Sequence, residues 1–369
     1  MVVSEVALRS FAESVFERSG LEAETAALAA DVLIEADLRG VHSHGVQELP
    51  TWARGFLRGE LSTRSDFPVV SDAGSMAIVD ACGGLGALAC HSAMRLTIAK
   101  AEEHGVAMVG VRNSSHFGMA GYFAMQALPH DQIGYCTTNG PAVMAAWGGR
   151  RPVLCNNPFA YAIPADREPP LVLDMACSAV ARGRVRAMAR DGTPIPAGWA
   201  IDKDGRETTD GKAAMEGAVL PIGGYKGYGM AVVNEVLSGP LVGALFSFEI
   251  ARSIKRDAET ELSDKTQRAW ACGHWLAAID LKRVVSPTDF KRRVDELIQT
   301  LRNSPLAEGA DRIFVPGEIE HERKIERRRL GIPLPASTIE LLDDFGRRDL
   351  RGEIGLDVSA TTATNTSGR

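Results

Sequence analysis

A chain of 369 residues is longer than one ordinary core needs and points to two domains, with 45% hydrophobic residues for burial. Its net charge of -6 and pI near 5.8 provide no basic field for phosphate backbones, which excludes nucleic acid as the main partner and favours small molecules. Six cysteines (Cys82, Cys90, Cys136, Cys155, Cys177, Cys272) lack CxxC spacing, against a disulfide framework or a thiolate zinc site. The N-terminus lacks a signal-peptide pattern, and no apolar run approaches the roughly 20 residues of a bilayer span, so a soluble cytoplasmic protein with no membrane partner is expected.

Residues 4 to 19 and 22 to 38 place Val6, Leu8, Phe11, Val15 and Phe16, then Ala26, Leu28, Val32, Leu33 and Ala36, at helical spacing, with Gly20 and Gly40 as stops. There follow VHSHGVQELPTW, a glycine-broken loop with two histidines, and an amphipathic stretch from Leu49 to Leu57. From Val69 the grammar changes. MAIVD (76–80) reads as strand, Leu85 to Ala101 as helix, VAMVGV (106–111) as buried strand and Gly121 to Leu128 as helix. Ile133 to Thr137, Ala160 to Pro164 and Leu171 to Met175 read as further strands. This alternation predicts a mixed α and β domain around a central sheet. AMEGAVLPIGGYKGYG (214–229) predicts a loop opening onto a helix at Met230 to Leu237. Residues 251 to 270 are charged and irregular, and GHWLAAID (273–280) returns as strand. Ser286 before Pro287 is an N-cap with a favoured first helical residue. Glu318 to Arg329 reads as a solvated, highly charged helix, Ala336 to Phe345 as an amphipathic one, and the segment from 352 as a disordered tail.

Four stretches carry residues suited to chemistry. In NSSHFGMAGY (113–122), His116 emerges where a buried strand ends, Ser114 and Ser115 are placed to cap the segment that follows, and Gly118 and Gly121 permit close approach. Gly84-Leu85-Gly86 with Ala89 imitates a dinucleotide fingerprint, but Asp80 to Gly83 separate it from the strand, where the fingerprint needs its turn at once. In Gly223-Gly224-Tyr225-Lys226-Gly227-Tyr228-Gly229, unblocked amides, a lysine and a helix start suit a pyrophosphate; the bland alternative is a glycine hinge. His42 and His44 flank Ser43. That pair is open to a metal site completed by Asp174 or His116, or to His44 acting as general acid with Asp174 and Ser43 supporting it.

RGVHSHGV (39–46), NSSHFGMAGY (113–122), TTNGP (137–141), NNPFAYAIP (156–164), LDMACSAVARGRV (173–185), GWAID (198–202), LPIGGYKGYGMA (220–231), GHWLAAID (273–280) and VPGE (315–318) together resemble the type-2 malate/L-lactate dehydrogenase family, in order along the chain. That family includes ureidoglycolate and sulfolactate dehydrogenases, diketogulonate reductase and piperideine-2-carboxylate reductase. The resemblance implies an oxidoreductase using NAD or NADP, with a non-Rossmann cofactor domain (73–285) and a helical domain from both chain ends (1–72 and 286–351), and it implies a homodimer. It makes the G-x-G-x-x-A a decoy. It also makes His44 the proton donor, supported by Ser43 and Asp174, with His116 as second choice. Asp174, Met175, Ala176, Cys177, Ser178, Tyr225, Lys226, Gly317 and Glu318 fall on cofactor-binding segments, joined by Asn139 and Gly140.

One departure stands out. Family members often carry an arginine shortly after SHG that grips a substrate carboxylate, and a tyrosine further along the helix, where this chain has Gln47, Glu48 and Trp52. Arg54, Arg182 and Arg184 are the candidate substitutes. The expected reaction is hydride transfer on a small 2-oxo or 2-hydroxy acid, or on a cyclic imino acid. The rivals are a metal-dependent hydrolase using His42 and His44, and a nicotinamide-binding sensor without turnover.

Overall fold

The amphipathic period at the N-terminus folds as α1 (Glu5–Arg18), whose Ser4 cap accepts from the Ala7 amide, and α2 (Ala23–Leu38). In the computed structural model, which describes residues 1–259 and 271–350, the chain divides into two units. The first comprises Met1–Thr63 and the described chain from Gly317; the second is Arg64–Pro316.

In the first unit, α1 and α2 bury Leu8, Phe11, Val15, Phe16, Val32 and Leu33, each worth about 1.5–3 kcal/mol of transfer free energy. The predicted stretch from Leu49 is α3 (Leu49–Leu57), which sets Trp52 and Phe56 against Phe16. From the other chain end come α11 (Glu318–Leu330) and α12 (Ala336–Arg348). The ends are tied by pairing of β1 (Val2–Val3) with β13 (Ile332–Pro333), and by Arg54, whose Nε and Nη2 reach the Asp349 carboxylate at 3.1 and 2.8 Å.

The second unit is built on a seven-stranded sheet, ordered β2 (Val69–Ala73), β3 (Met76–Asp80), β4 (Val106–Ser114), β12 (Cys272–Asp280), β5 (Gln132–Thr138), β8 (Phe159–Ile163) and β9 (Leu171–Met175). Only β3 and β4 run parallel, joined through α4 (Gly86–His104); the other neighbours are antiparallel. The late strand β12 lies in the middle; His274, Leu276 and Ala278 are buried on one of its faces, while Trp275 is half-buried and Ile279 exposed on the other. A smaller sheet orders β10 (Ala200–Ile201), β11 (Ala218–Val219), β6 (Met144–Ala145) and β7 (Pro152–Leu154). The remaining helices are α5 (Ala120–Met125), α6 (Arg182–Arg190), α7 (Gly211–Glu216), α8 (Tyr225–Ser238), α9 (Ser247–Glu259) and α10 (Pro287–Arg302). The mixed α and β architecture expected from the alternation is present.

The structure differs from the sequence reading at three places. α8 begins at Tyr225, so half of the glycine run is helix; Gly227 is required there because a Cβ would sit 2.2 Å from the Ile222 carbonyl oxygen. Part of the stretch read as irregular is α9, while residues 260–270 and the tail lie outside the described residues. α10 groups with the sheet unit rather than the helical one: the Asp295 carboxylate accepts the amides of Asp166, Arg167 and Glu168, and Ile163 and Leu171 pack on Val294 and Ile298. Among the described residues no single helix is long and apolar enough to cross a membrane. All six cysteines are free.

Candidate functional site

In the helical unit, the histidine loop is two 3-10 turns, His42–His44 and Val46–Glu48, organised by a residue that sequence reading passed over. Asp37, 1% exposed by its side and near the end of α2, accepts from His42 Nδ1 at 2.6 Å and from the Val46 amide at 2.7 Å. Gly45 fits only because it has no side chain; a Cβ would lie 2.2 Å from Asp37 Oδ1. His42 Nε2 meets Arg327 Nη1 at 3.0 Å. Since a guanidinium only donates, Nε2 holds its lone pair toward it, and Nδ1–H donates to Asp37. With both nitrogens engaged, His42 braces the loop. Among the described residues no group of three or more His, Cys, Asp or Glu side chains is placed to hold a metal.

His44 is turned differently. Its Nδ1 lies 2.9 Å from Ser43 Oγ, the contact expected of a supporting serine. The half-buried ring is desolvated, which pushes its pKa down to about 4. In the same unit Gly317, with φ of +85°, caps α11, and Glu318 is buried in its first turn.

In the sheet unit, β4 runs on to Ser114 and delivers His116, half-buried, just beyond its end. The serines do not cap the following helix. Ser114 Oγ lies 2.9 Å from His274 Nε2, and Ser115 Oγ accepts from the Gly86 amide at 3.1 Å, capping the distant α4 instead. This explains the imitation fingerprint: a Cβ on Gly86 would stand 2.2 Å from the Ser115 carbonyl oxygen, so the glycine serves packing of the His116 loop.

Asp174, at the end of β9, accepts from the Gly121 amide at 2.7 Å, linking that strand to the start of α5. The rest of its segment is stitched to the glycine turn. The Ile222 amide donates to the Cys177 carbonyl at 2.9 Å, the Ala179 amide donates to the Leu220 carbonyl at 2.7 Å, and Ser178 bridges to Pro221. Met175 and Ala176 are half-buried, while Cys177 and Ser178 point inward, the Cys177 thiol donating to the Asn157 carbonyl at 3.1 Å and raised to about 11 by burial. Gly223 and Gly224 both take left-handed backbone, with φ of 57° and 65°, before α8 starts with exposed Tyr225 and Lys226.

Trp147 was not singled out from sequence. Parallel strands β6 and β11 end side by side and release Trp147 next to Gly224, whose absent Cβ would meet the indole at 2.9 Å; Trp147 is nevertheless 58% exposed.

Two further groups of expected residues have internal partners. Asn139 is 3% exposed, and its side-chain amide donates to Leu245 O at 2.8 Å and to Glu235 Oε1 at 3.3 Å, while Gly140 is buried against Cys155. Of the arginines weighed for a substrate carboxylate, Arg54 is paired with Asp349, Arg182 donates to the Met215 carbonyl at 2.7 Å, and Arg184 lies over the Trp199 ring at 5.1 Å.

Comparison with known proteins identifies the family. A family model described as malate/L-lactate dehydrogenase matches residues 3–343. Malate/(S)-sulfolactate dehydrogenase of Methanothermus fervidus is 35% identical over 345 residues, spanning 94% of this chain and 97% of that one. (2R)-3-sulfolactate dehydrogenase (NADP(+)) of Chromohalobacter salexigens is 32% identical over 333 residues, spanning 90% and 94%. The solved malate dehydrogenase of Entamoeba histolytica superposes with a TM-score of 0.88 at 30% identity, covering 94% of this chain and 97% of that one. The chain belongs to the malate/L-lactate dehydrogenase family.

Proposed function

We propose that this protein is a cytoplasmic NAD(P)-dependent oxidoreductase acting on a small 2-hydroxy or 2-oxo acid of the malate or sulfolactate kind, with His44 exchanging the proton. The observation that carries the cofactor reading is the stitched pair of segments 174–179 and 220–224. It leads into two left-handed glycines, an exposed lysine and the N-terminus of a 14-residue helix, with a solvent-facing indole alongside. Backbone amides and Lys226 suit a diphosphate, and Trp147 offers a flat face for a ring. Gly317 and Glu318 are assigned to the cofactor on family resemblance. When bound, the nicotinamide supplies or takes the hydride.

The state of His44 bears on direction. An imidazole held near pKa 4 is neutral at physiological pH, ready to accept a proton from a hydroxy acid; donation in the reverse direction requires a nearby anion, such as a substrate carboxylate, to raise it. Ser43 fixes the ring, and Asp174 is assigned a supporting role by resemblance. His116 stands second. With Gln47 and Glu48 in place of the family's arginine, and Arg54 tied to Asp349, recognition of the substrate carboxylate is proposed to rest on other donors.

We also propose a homodimer. Val106, Tyr161, Met230, Val233, Trp275 and Ile279 line an apolar groove between the large sheet and α8, the kind of surface a second copy would cover.

The deciding experiment follows reduced-nicotinamide absorbance with NADH and NADPH against a panel of 2-oxo acids, their amides and cyclic imino acids. Turnover with a 2-oxo acid supports the reading. Dinucleotide binding without turnover across the panel would favour the sensor, and failure to bind either dinucleotide would reject both.

A further inference from the structure

His274 has no assigned role, yet it occupies the middle of the large sheet. It lies on β12 between β4 and β5 and is 0% exposed. Its Nδ1 is 2.7 Å from Thr138 Oγ1, at the end of β5, and its Nε2 is 2.9 Å from Ser114 Oγ, at the end of β4. The ring is stacked on Phe117, with centroids 4.8 Å apart and planes 12° from parallel. A neutral imidazole presents one donor and one acceptor, and each hydroxyl can play either part, so both nitrogens are satisfied without a counter-ion. Burial lowers its pKa to about 3, consistent with a ring that stays uncharged.

The two strand ends it touches lead into different loops. Ser114 opens the loop through Ser115, His116 and Phe117, and Thr138 opens Asn139 and Gly140. The residue before the histidine joins the same arrangement: the Gly273 amide donates to Asn139 Oδ1 at 2.9 Å, and the Asn139 amide donates to the Gly273 carbonyl at 3.2 Å. One short piece of β12 therefore grips both loops, through rigid groups with little rotamer freedom.

We infer that His274 is a positioning residue that couples the His116 loop to the Asn139 loop, so that displacement of either is transmitted to the other. Buried, fully satisfied polar groups of this kind fix geometry more than they add stability. The functional part of the inference rests on the dehydrogenase reading; the mechanical part does not.

The test is made on the full chain with Ser114→Ala, Thr138→Val and His274→Gln, the last keeping a polar group of similar reach. Amide hydrogen exchange is the first readout. Ser114→Ala is expected to speed exchange at residues 139–142 as well as in its own loop, Thr138→Val to speed it at 115–119, and His274→Gln to speed both while the rest of the sheet stays protected. Exchange confined to the mutated loop would overturn the coupling. Steady-state kinetics and fluorescence titration of reduced dinucleotide form the second readout. His274→Gln is expected to lower kcat by about tenfold to a hundredfold, as misplacement does, with dinucleotide Kd changed less than about threefold. The double variant Ser114→Ala with Thr138→Val should lose less than the product of the single losses. Multiplicative losses, or a fall in kcat that merely follows loss of folded protein, would overturn the positioning role. If the unmodified chain binds no dinucleotide, the dehydrogenase reading fails while the exchange data still decide the coupling.

Discussion

Two histidine-bearing loops, one in each unit, are held by opposite means. The His42–Gly45 loop is anchored by a buried carboxylate, Asp37, which takes one imidazole and one amide and is faced by Arg327 through His42. The loop around His116 is anchored without charge, by serine hydroxyls bonded to a buried imidazole and to a helix-start amide. A charged anchor tolerates no intrusion, because displacing its donors leaves a carboxylate stranded in low dielectric. A neutral anchor can be loosened at either end without that penalty, and so can carry information between loops.

The largest expected effect separates the two histidines. His44→Ala should reduce turnover by about 10²–10⁴-fold, the usual worth of a general acid or base, with reduced dinucleotide still bound in fluorescence titration. Full activity in that variant would transfer the role to His116. Next come changes to the anchors. Gly45→Ala forces a methyl into the Asp37 carboxylate, and Gly86→Ala forces one into the Ser115 carbonyl; each should destabilise by about 1–3 kcal/mol in urea unfolding, and the first should be the worse. Val233→Asp places a charge on an exposed apolar position beside the groove. Light scattering should then show the mass halved, and an unchanged dimer would move the interface elsewhere. A further effect is a pH slope. His44 and His274 have folded pKa values lowered to about 4 and about 3 from the ordinary 6.5, so the unfolded chain takes up protons first as pH falls. Their contribution is complete above about pH 6.5 and is lost on descending toward those lower values. Melting temperature should decline over that window, and less steeply in His274→Gln.

The strands MAIVD and LVLDM and the helix starting after Ser286 were legible because their signals are local: period, β-branched content and a cap. The partners of Ser114 and Ser115 were not, since they lie 160 and 29 residues away along the chain. Asp37 was hidden for a related reason: within α2 it reads as an ordinary helix residue, and only the loop folding back gives its carboxylate a purpose. The two-residue strands that place Trp147 beside Gly224 are too short to carry a period. The glycine run misled about where α8 starts because glycine at Gly227 answers to a neighbouring carbonyl rather than to flexibility. Family resemblance supplied the roles at the site, and the structure supplied the anchors.

The position of β12 between β4 and β5 sets an order of events during synthesis. Strands β4 and β5 leave the ribosome well over a hundred residues before the strand that must lie between them, so the sheet's middle stays open for much of translation. Pairing of this range is slow to nucleate and exposes apolar edges meanwhile. The helical unit waits longer still, because β1 finds its partner only once Ile332 and Pro333 have emerged. A nascent chain stalled before β12 should therefore be a substrate for chaperones, and one released just after it should hold a folded sheet beside an unfinished set of helices.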